Sequence, residues 1–311
     1  MPTSWFYIYS YSSFKIKKMY VITGATGNTG KRIAKALLAL GKPVKVISRK
    51  AEHLTELVSL GAIAEVGDIE NVDFLKKAFE GAHSAYIMIP PRWDIADWRT
   101  YQDEVSKSYV TALEGSSIEQ VVMLSSIGAH LEHGAGPVSG LYPLEQGLKT
   151  IKGLSSIALR AGYFFENLNG SIGMFKHAGI NGSNVRGNIK IGMVHTSDIA
   201  AKAVESFLNF NFVGHKHVFV STVDLNMQET TEQINAALGT QLPYITFSNA
   251  DALKGMLDAG LPPTIANGYV EMYESVNSGK FNEGYHGATK SASPTTLKTF
   301  LETEFKHAYN A

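Results

Sequence analysis

The chain has 311 residues, 44% hydrophobic and 18% charged, which suits a folded protein with a sizeable core. Its 28 basic and 28 acidic residues cancel and are scattered, so neither nucleic acid nor an anionic membrane is favoured as a partner. The absence of cysteine excludes disulfides, thiolate metal sites and cysteine nucleophiles, and no apolar run approaches the roughly 20 residues of a membrane span.

This composition sits comfortably in a reducing cytoplasm, the compartment expected. The first 18 residues, MPTSWFYIYSYSSFKIKK, are aromatic-rich and then basic. A secretory signal carries its positive charge before the apolar stretch, whereas Lys15, Lys17 and Lys18 follow it. Residues 1–18 therefore read as an extension ahead of a fold that begins near Met19.

From Met19, MYVITG reads as a buried strand and Gly27 to Leu40 as an amphipathic helix ended by Gly41. PVKVIS is a second strand and EHLTELVSLG a second helix. AIAEVG is a third strand, followed by a helix in NVDFLKKAFEG. HSAYIMIP is a fourth strand, and IADWRTYQDEVSKSYVTALEG a long helix. IEQVVMLSS is a fifth strand, with a Gly- and His-rich loop and a helix near 139–152 after it. SSIALRAG is a sixth. Alternating strands and helices of this length predict a doubly wound, Rossmann-type parallel sheet with helices on both faces.

The rhythm changes after about Tyr163. Asn167–Lys176 has helical character, and INGSNVRGNIKIG reads as a Gly/Asn-rich loop or hairpin. TSDIAAKAVESFLN is a capped helix, HKHVFVS a strand and NMQETTEQINAALG a helix, with mostly helix and loop over 244–311. The expected organisation is a dinucleotide-binding domain over 19–162 and a smaller C-terminal α+β lobe over 163–311, interleaved as one unit.

Thr23-Gly24-Ala25-Thr26-Gly27-Asn28-Thr29-Gly30 joins the first strand to the first helix. Gly24 permits the tight turn, Gly27 lets the backbone approach a pyrophosphate, and Gly30 allows close helix–strand packing. The helix N-terminus offers free N–H groups and the positive end of its dipole. A carboxylate at the end of the second strand would select NAD; here stand Ser48, Arg49 and Lys50. A guanidinium grips a 2′-phosphate that a carboxylate would repel, so NADP(H) is expected, with NAD(H) the alternative. Tyr163, Phe164 and Phe165 end the sixth strand at the sheet's carboxyl edge, and with Met88 and Trp93 they are expected to line an apolar pocket for a flat substrate.

The run TGATGNTG, the Ser-Arg-Lys after the second strand, Gly67-Asp68-Ile69, LRAGYFFEN at 159–167 and HTSDIAAKA at 195–203 resemble the NmrA-like family of atypical short-chain dehydrogenases/reductases. Within it they are most similar to the NADPH-dependent quinone oxidoreductase type. The resemblance, which runs over residues 19–305, implies that Gly24, Thr26, Gly27, Asn28, Thr29 and Gly30 wrap the pyrophosphate. It implies that Arg49 with Lys50 meets the 2′-phosphate and that Asp68 and Ile69 flank adenine. Asp68 also reads as an N-cap for the helix after it. Ile89 and Pro90 would lie by the nicotinamide ribose, and Ser125 beside the nicotinamide.

The chain departs from the wider superfamily in one respect. A Tyr-x-x-x-Lys pair usually handles the proton, but here Tyr142 is followed four residues later by Gln146. The loop His130-Leu131-Glu132-His133 reads as surface, with no metal expected. Tyr142 and His133 are the candidates for a proton-handling side chain. The leading expectation is an NADPH-dependent reductase of quinone-like or other small aromatic acceptors. The alternative is a non-catalytic NADP(H)-sensing regulator; a homodimer or a regulatory protein partner fits either.

Overall fold

The computed structural model describes residues 18–289 and 294–311, so the extension expected over 1–18 lies, save for Lys18, outside the described residues. The first half of the chain alternates without interruption. It runs β1 (Tyr20–Ile22), α1 (Asn28–Ala39), β2 (Val44–Ser48), α2 (Thr55–Ser59), β3 (Ile63–Val66), α3 (Val72–Phe79) and β4 (Ser84–Ile87). It continues through α4 (Trp98–Leu113), β5 (Gln120–Ser126), α5 (Leu141–Thr150) and β6 (Ser155–Ala161). The second half is less regular: β7 (Tyr163–Phe164), α6 (Ile172–Ala178), β8 (Asn181–Ser183), β9 (Ile191–Val194), α7 (Thr196–Leu208), β10 (His215–Val220) and β11 (Val223–Leu225). Then come α8 (Met227–Leu238), β12 (Tyr244–Thr246), α9 (Asn249–Asp258), α10 (Pro263–Ser278), α11 (Leu297–Phe300), a π-helical turn (Leu301–Phe305) and α12 (Lys306–Asn310).

The main sheet has seven parallel strands in the order β10-β6-β5-β4-β1-β2-β3, the doubly wound arrangement expected. Side chains alternate across it. Tyr20 and Ile22 pack with Ile33 and Leu37 of α1 and Phe207 of α7, while Val21 packs on the other face with Leu75, Phe79 and Val105 of α3 and α4. Strand order reverses between β1 and β4, so the loops leaving these two strands diverge and open a crevice at their carboxyl ends.

The strand HKHVFVS, read with the C-terminal lobe, returns to the main sheet as its outer strand β10, beside β6. All seven residues of β6 are buried, and Val218 and Val220 on β10 extend the α1–α7 core. The stretch INGSNVRGNIKIG is not a hairpin. Its two short strands pair elsewhere, β8 with β12 and β9 with β7 and β11. Side-chain amides explain this: Asn181 donates to Thr231 and Asn184 to Asn249, holding the stretch to α8 and α9 in place of a hairpin ladder. A third core of Phe165, Phe175, Met193, Phe300, Leu301 and Phe305 unites the small sheet with the chain's end. Among the described residues, no helix is long and apolar enough to cross a membrane.

Candidate functional site

Three side chains knot the ends of β1 and β4 together beneath the glycine-rich turn. The Thr23 hydroxyl donates to the Tyr86 carbonyl at 3.1 Å and accepts from the Met88 amide at 3.2 Å. The Tyr86 hydroxyl donates to Thr29 Oγ1 at 3.0 Å. Gly24 turns the chain with φ +59°, and a Cβ on Gly30 would lie 2.3 Å from the Gly24 carbonyl oxygen, so α1 approaches the strand end as only glycine allows. Gly27 caps α1 without a side chain, and Thr26, Gly27 and Asn28 are exposed. The first-turn amides of a twelve-residue helix thus face outward with no competing cap, an arrangement that fits a pyrophosphate. Thr29 is buried, and its hydroxyl oxygen already accepts from Tyr86.

At the end of β2, Arg49 and Lys50 are exposed, and the Arg49 guanidinium has no hydrogen-bond or ion-pair partner among the described residues. Its charge nonetheless reaches Asp94. That carboxyl is held below the usual range first by its hydrogen bond with Arg92 and, more weakly, by Arg49. Arg92 grips Asp94 at 2.9 and 3.1 Å, reaches Glu70 at 3.2 Å, and lies over the Tyr101 ring. Asp68 does not cap α3. Its Oδ1 accepts from the Glu70 amide at 3.1 Å, and the cap is Asn71, which accepts from the Phe74 amide at 3.0 Å. The reason is spacing, since Asn71 directly precedes the first helical residue and Asp68 stands three residues further back. Ile69 is nearly buried beside it.

An apolar cleft opens where the chain leaves β4. Ile89, Pro90, Trp93, Trp98, Tyr101 and Tyr269 are among its walls. Trp93, half exposed, stacks on Tyr269 of α10 with ring centroids 6.0 Å apart and planes 14° from parallel. Met88 is packed against the turn, its sulfur 2.8 Å from where a Cβ on Gly24 would be. Burial pushes the Tyr163 hydroxyl up, with Tyr269 and Tyr244 adding to the effect; that hydroxyl has no hydrogen-bond partner among the described residues. Phe164 packs toward the α1–α7 core. Phe165 does not line the cleft: it is wholly buried against His195 and Phe300, because the chain turns into the C-terminal core directly after β7.

Ser125 is buried near the end of β5, and its hydroxyl donates to Glu145 Oε1 at 2.6 Å. Glu145 in turn receives Arg160 in a two-pronged pair, Nε at 3.1 Å and Nη2 at 2.6 Å, both residues being buried. Sequence reasoning missed this trio. The signal was an arginine inside the apolar run IALRA, a charge that a sheet interior accepts only with a partner. Tyr142 is half-buried on α5, without a hydroxyl partner among the described residues, and Lys149 is turned outward onto Gln146 at 3.0 Å. His133 is a surface side chain, 80% exposed, and no cluster fit for a metal ion occurs among the described residues. His195 is itself the cap of α7, accepting from the Ser197 amide.

A family model described as NAD(P)H-binding matches residues 24–149. The chain is 22% identical to an NAD(P)H azoreductase of Xenophilus azovorans over 93% of its length and 98% of that protein. It superposes with TM-score 0.73 and 19% identity on the triphenylmethane reductase of Citrobacter in complex with NADP(H), covering 94% of this chain and 100% of that one. An NADPH-dependent quinone oxidoreductase of Escherichia coli in complex with NADPH gives 0.72 and 19%, covering 92% and 99%. NmrA, a negative transcriptional regulator, in complex with NADP gives 0.70 and 14%, covering 94% and 97%. The chain thus carries an NAD(P)H-binding domain and shares the fold of these reductases and of NmrA, as its motifs led one to expect.

Proposed function

We propose that the chain is an NADPH-dependent reductase of quinone-like or other small aromatic acceptors. The observation that carries this reading is the aromatic cleft, whose wall at Ile89 and Pro90 begins one residue after Met88, the side chain packed on the phosphate-binding turn. In this reading residues 19–162 hold the dinucleotide and 163–311 complete the cleft from the α10 side.

The amides around Gly24, Thr26, Gly27, Asn28, Thr29 and Gly30 hold the pyrophosphate, and the exposed Arg49, with Lys50, meets the 2′-phosphate and sets the preference for NADP(H). Asp68 turns its free carboxylate oxygen to the adenine amine, and Ile69 packs beneath the ring. When bound, the nicotinamide supplies a hydride. Ile89 and Pro90 keep water from that end of the cleft, and the Trp93–Tyr269 shelf holds a flat acceptor parallel to it. Because Ser125 already donates to Glu145, its remaining lone pairs can only accept, which suits the amide of a carboxamide and not a substrate carbonyl. An acceptor that is already electron-poor needs no donor there, and solvent supplies the proton. The cytoplasm is the compartment we assign.

The test is loss of NADPH absorbance across quinones, azo dyes and aldehydes. Turnover of the first two that vanishes in Gly27→Val supports the reductase. A second reading, an NADP(H)-sensing regulator acting through a protein partner, is favoured by Tyr142 lacking a lysine partner on α5. Silence across the panel, with tight NADPH binding, selects it.

A further inference from the structure

One chain of contacts leaves the phosphate-binding turn and ends at the other extremity of the chain. Arg32, on the second turn of α1, donates through Nη1 to the Asn28 carbonyl at 2.9 Å and to Thr196 Oγ1 at 3.1 Å. Thr196 opens α7, and both its hydroxyl and its amide donate to Glu166 Oε1. That same oxygen is 3.3 Å from His195 Nε2, which is 3.1 Å from Glu304 Oε1. His195 Nδ1 accepts from the Ser197 amide, so the ring proton belongs on Nε2, which lies within ion-pair distance of both carboxylates but makes a hydrogen bond to neither among the described residues. The histidine side chain is 4% exposed and that of Glu166 12%, while Glu304 lies on the π-helical turn of the C-terminal segment. Ser197 Oγ meets Thr295 Oγ1 at 2.9 Å, a second tie to the same segment.

We propose that Arg32 and Glu166 are positioning residues of the dinucleotide site, through which cofactor binding at α1 and the packing of Leu297–Asn310 are coupled. Arg32 has five donors, of which the contacts above use those of one nitrogen. Its guanidinium stands within one turn of the amides that face a pyrophosphate. A dianion there draws the guanidinium toward the helix start and fixes its grip on Asn28. The grip on Thr196 is fixed with it, and with Thr196 the orientation of Glu166, His195 and Glu304. Buried polar networks of this kind have few alternative arrangements, so restraint at one end is felt at the other. Coupling is reciprocal: loosening Glu304 must weaken cofactor binding although Glu304 is far along the chain from the turn. The inference rests on the dinucleotide occupying this turn and is independent of whether the protein reduces or senses.

The experiment is hydrogen–deuterium exchange of the full chain with and without NADPH, beside calorimetric titration of NADPH. In wild type, NADPH slows exchange over 297–310. Arg32→Gln binds NADPH about fivefold more weakly or worse and loses that protection. Arg32→Lys, which keeps the charge, recovers part of both. Thr196→Val, close in shape but without the hydroxyl, loses the protection and keeps the test open should Arg32→Gln fail to fold. Glu304→Gln, at a half-exposed side chain, weakens NADPH binding. The proposal is overturned if wild type binds NADPH with no change over 297–310, or if protection persists in Arg32→Gln and Thr196→Val. A wild type that fails to bind NADPH at all refutes the cofactor assignment instead.

Discussion

Ser125 and Glu145 are joined by a 2.6 Å hydrogen bond in which the serine is the donor. Arg160, the register partner of Ser125 on β6, pairs with the same carboxylate from the other side. The Ser125 hydroxyl is therefore locked into the scaffold, with no proton to offer a ligand. Removing one partner strands a buried charge. Arg160→Leu is expected to cost about 3–5 kcal/mol of unfolding free energy in urea titration. The double variant Glu145→Leu/Arg160→Met should recover most of that loss. An equal loss in the double variant would show that the pair does more than neutralise itself.

In the reading proposed above, Arg49 carries the cofactor preference. It is exposed and unpaired among the described residues, so Arg49→Ala should leave the melting temperature unchanged. It should weaken NADPH binding by about 1.5–3 kcal/mol, the cost of a lost charge-assisted contact, and leave NADH binding nearly untouched. Titration of both cofactors into both proteins decides. Equal wild-type affinities would remove Arg49 from the site.

The turn and the sheet were legible because they are local. Gly24, Gly27 and Gly30 declare a turn whatever surrounds them, and β1 to β6 alternate with helices at the expected length. The missed features depend on residues far apart in the chain. Arg32 meets Thr196 across 164 positions, and nothing near either residue signals the other. β10 looked like part of a separate lobe because the chain crosses a small sheet before returning to the large one. Phe165 looked like a wall of the cleft, yet after β6 the chain turns into the C-terminal core, where Tyr163 also packs. The caps of α3 and α7 were misplaced or left open for a simpler reason: Asp68, Asn71, His195 and Ser197 are all competent acceptors, and only the backbone path chooses among them.

Trp93 tests the cleft. It leans on Tyr269 from a loop and is half exposed, so its removal should barely affect stability. Its stacking with a flat acceptor is worth about 0.5–1.5 kcal/mol. Trp93→Ala should therefore raise KM for quinone or azo acceptors roughly three- to tenfold, with NADPH binding unchanged. A fall in kcat with KM constant would mean that Trp93 shapes the reaction and not the binding of the acceptor.

Acid stability follows from two half-buried histidines. Burial lowers the pKa of His83 below the ordinary 6.5, with Lys18 adding to it and Glu119 opposing, and burial likewise lowers that of His215, with Lys149 adding. Each is thus more easily protonated in the unfolded chain than in the native one, so protons favour unfolding. The stability held by the neutral rings is fully present above pH 6.5 and is lost as pH falls from there through the native pKa values. His83 Nε2 is buried without a partner among the described residues, and His215 Nδ1 meets Ser156 Oγ at 2.9 Å. A proton added to His83 gains no nearby acceptor at Nε2, and one added at His215 Nδ1 makes that nitrogen a donor to a hydroxyl that must then turn away. Urea unfolding from pH 7.5 to 5, about the range in which histidine titrates, should show falling stability in wild type. His83→Gln and His215→Asn should each flatten the curve without changing the cofactor affinity at neutral pH. A wild-type curve that is flat, or that rises as the pH falls, would mean that both rings keep their ordinary affinity for protons in the fold.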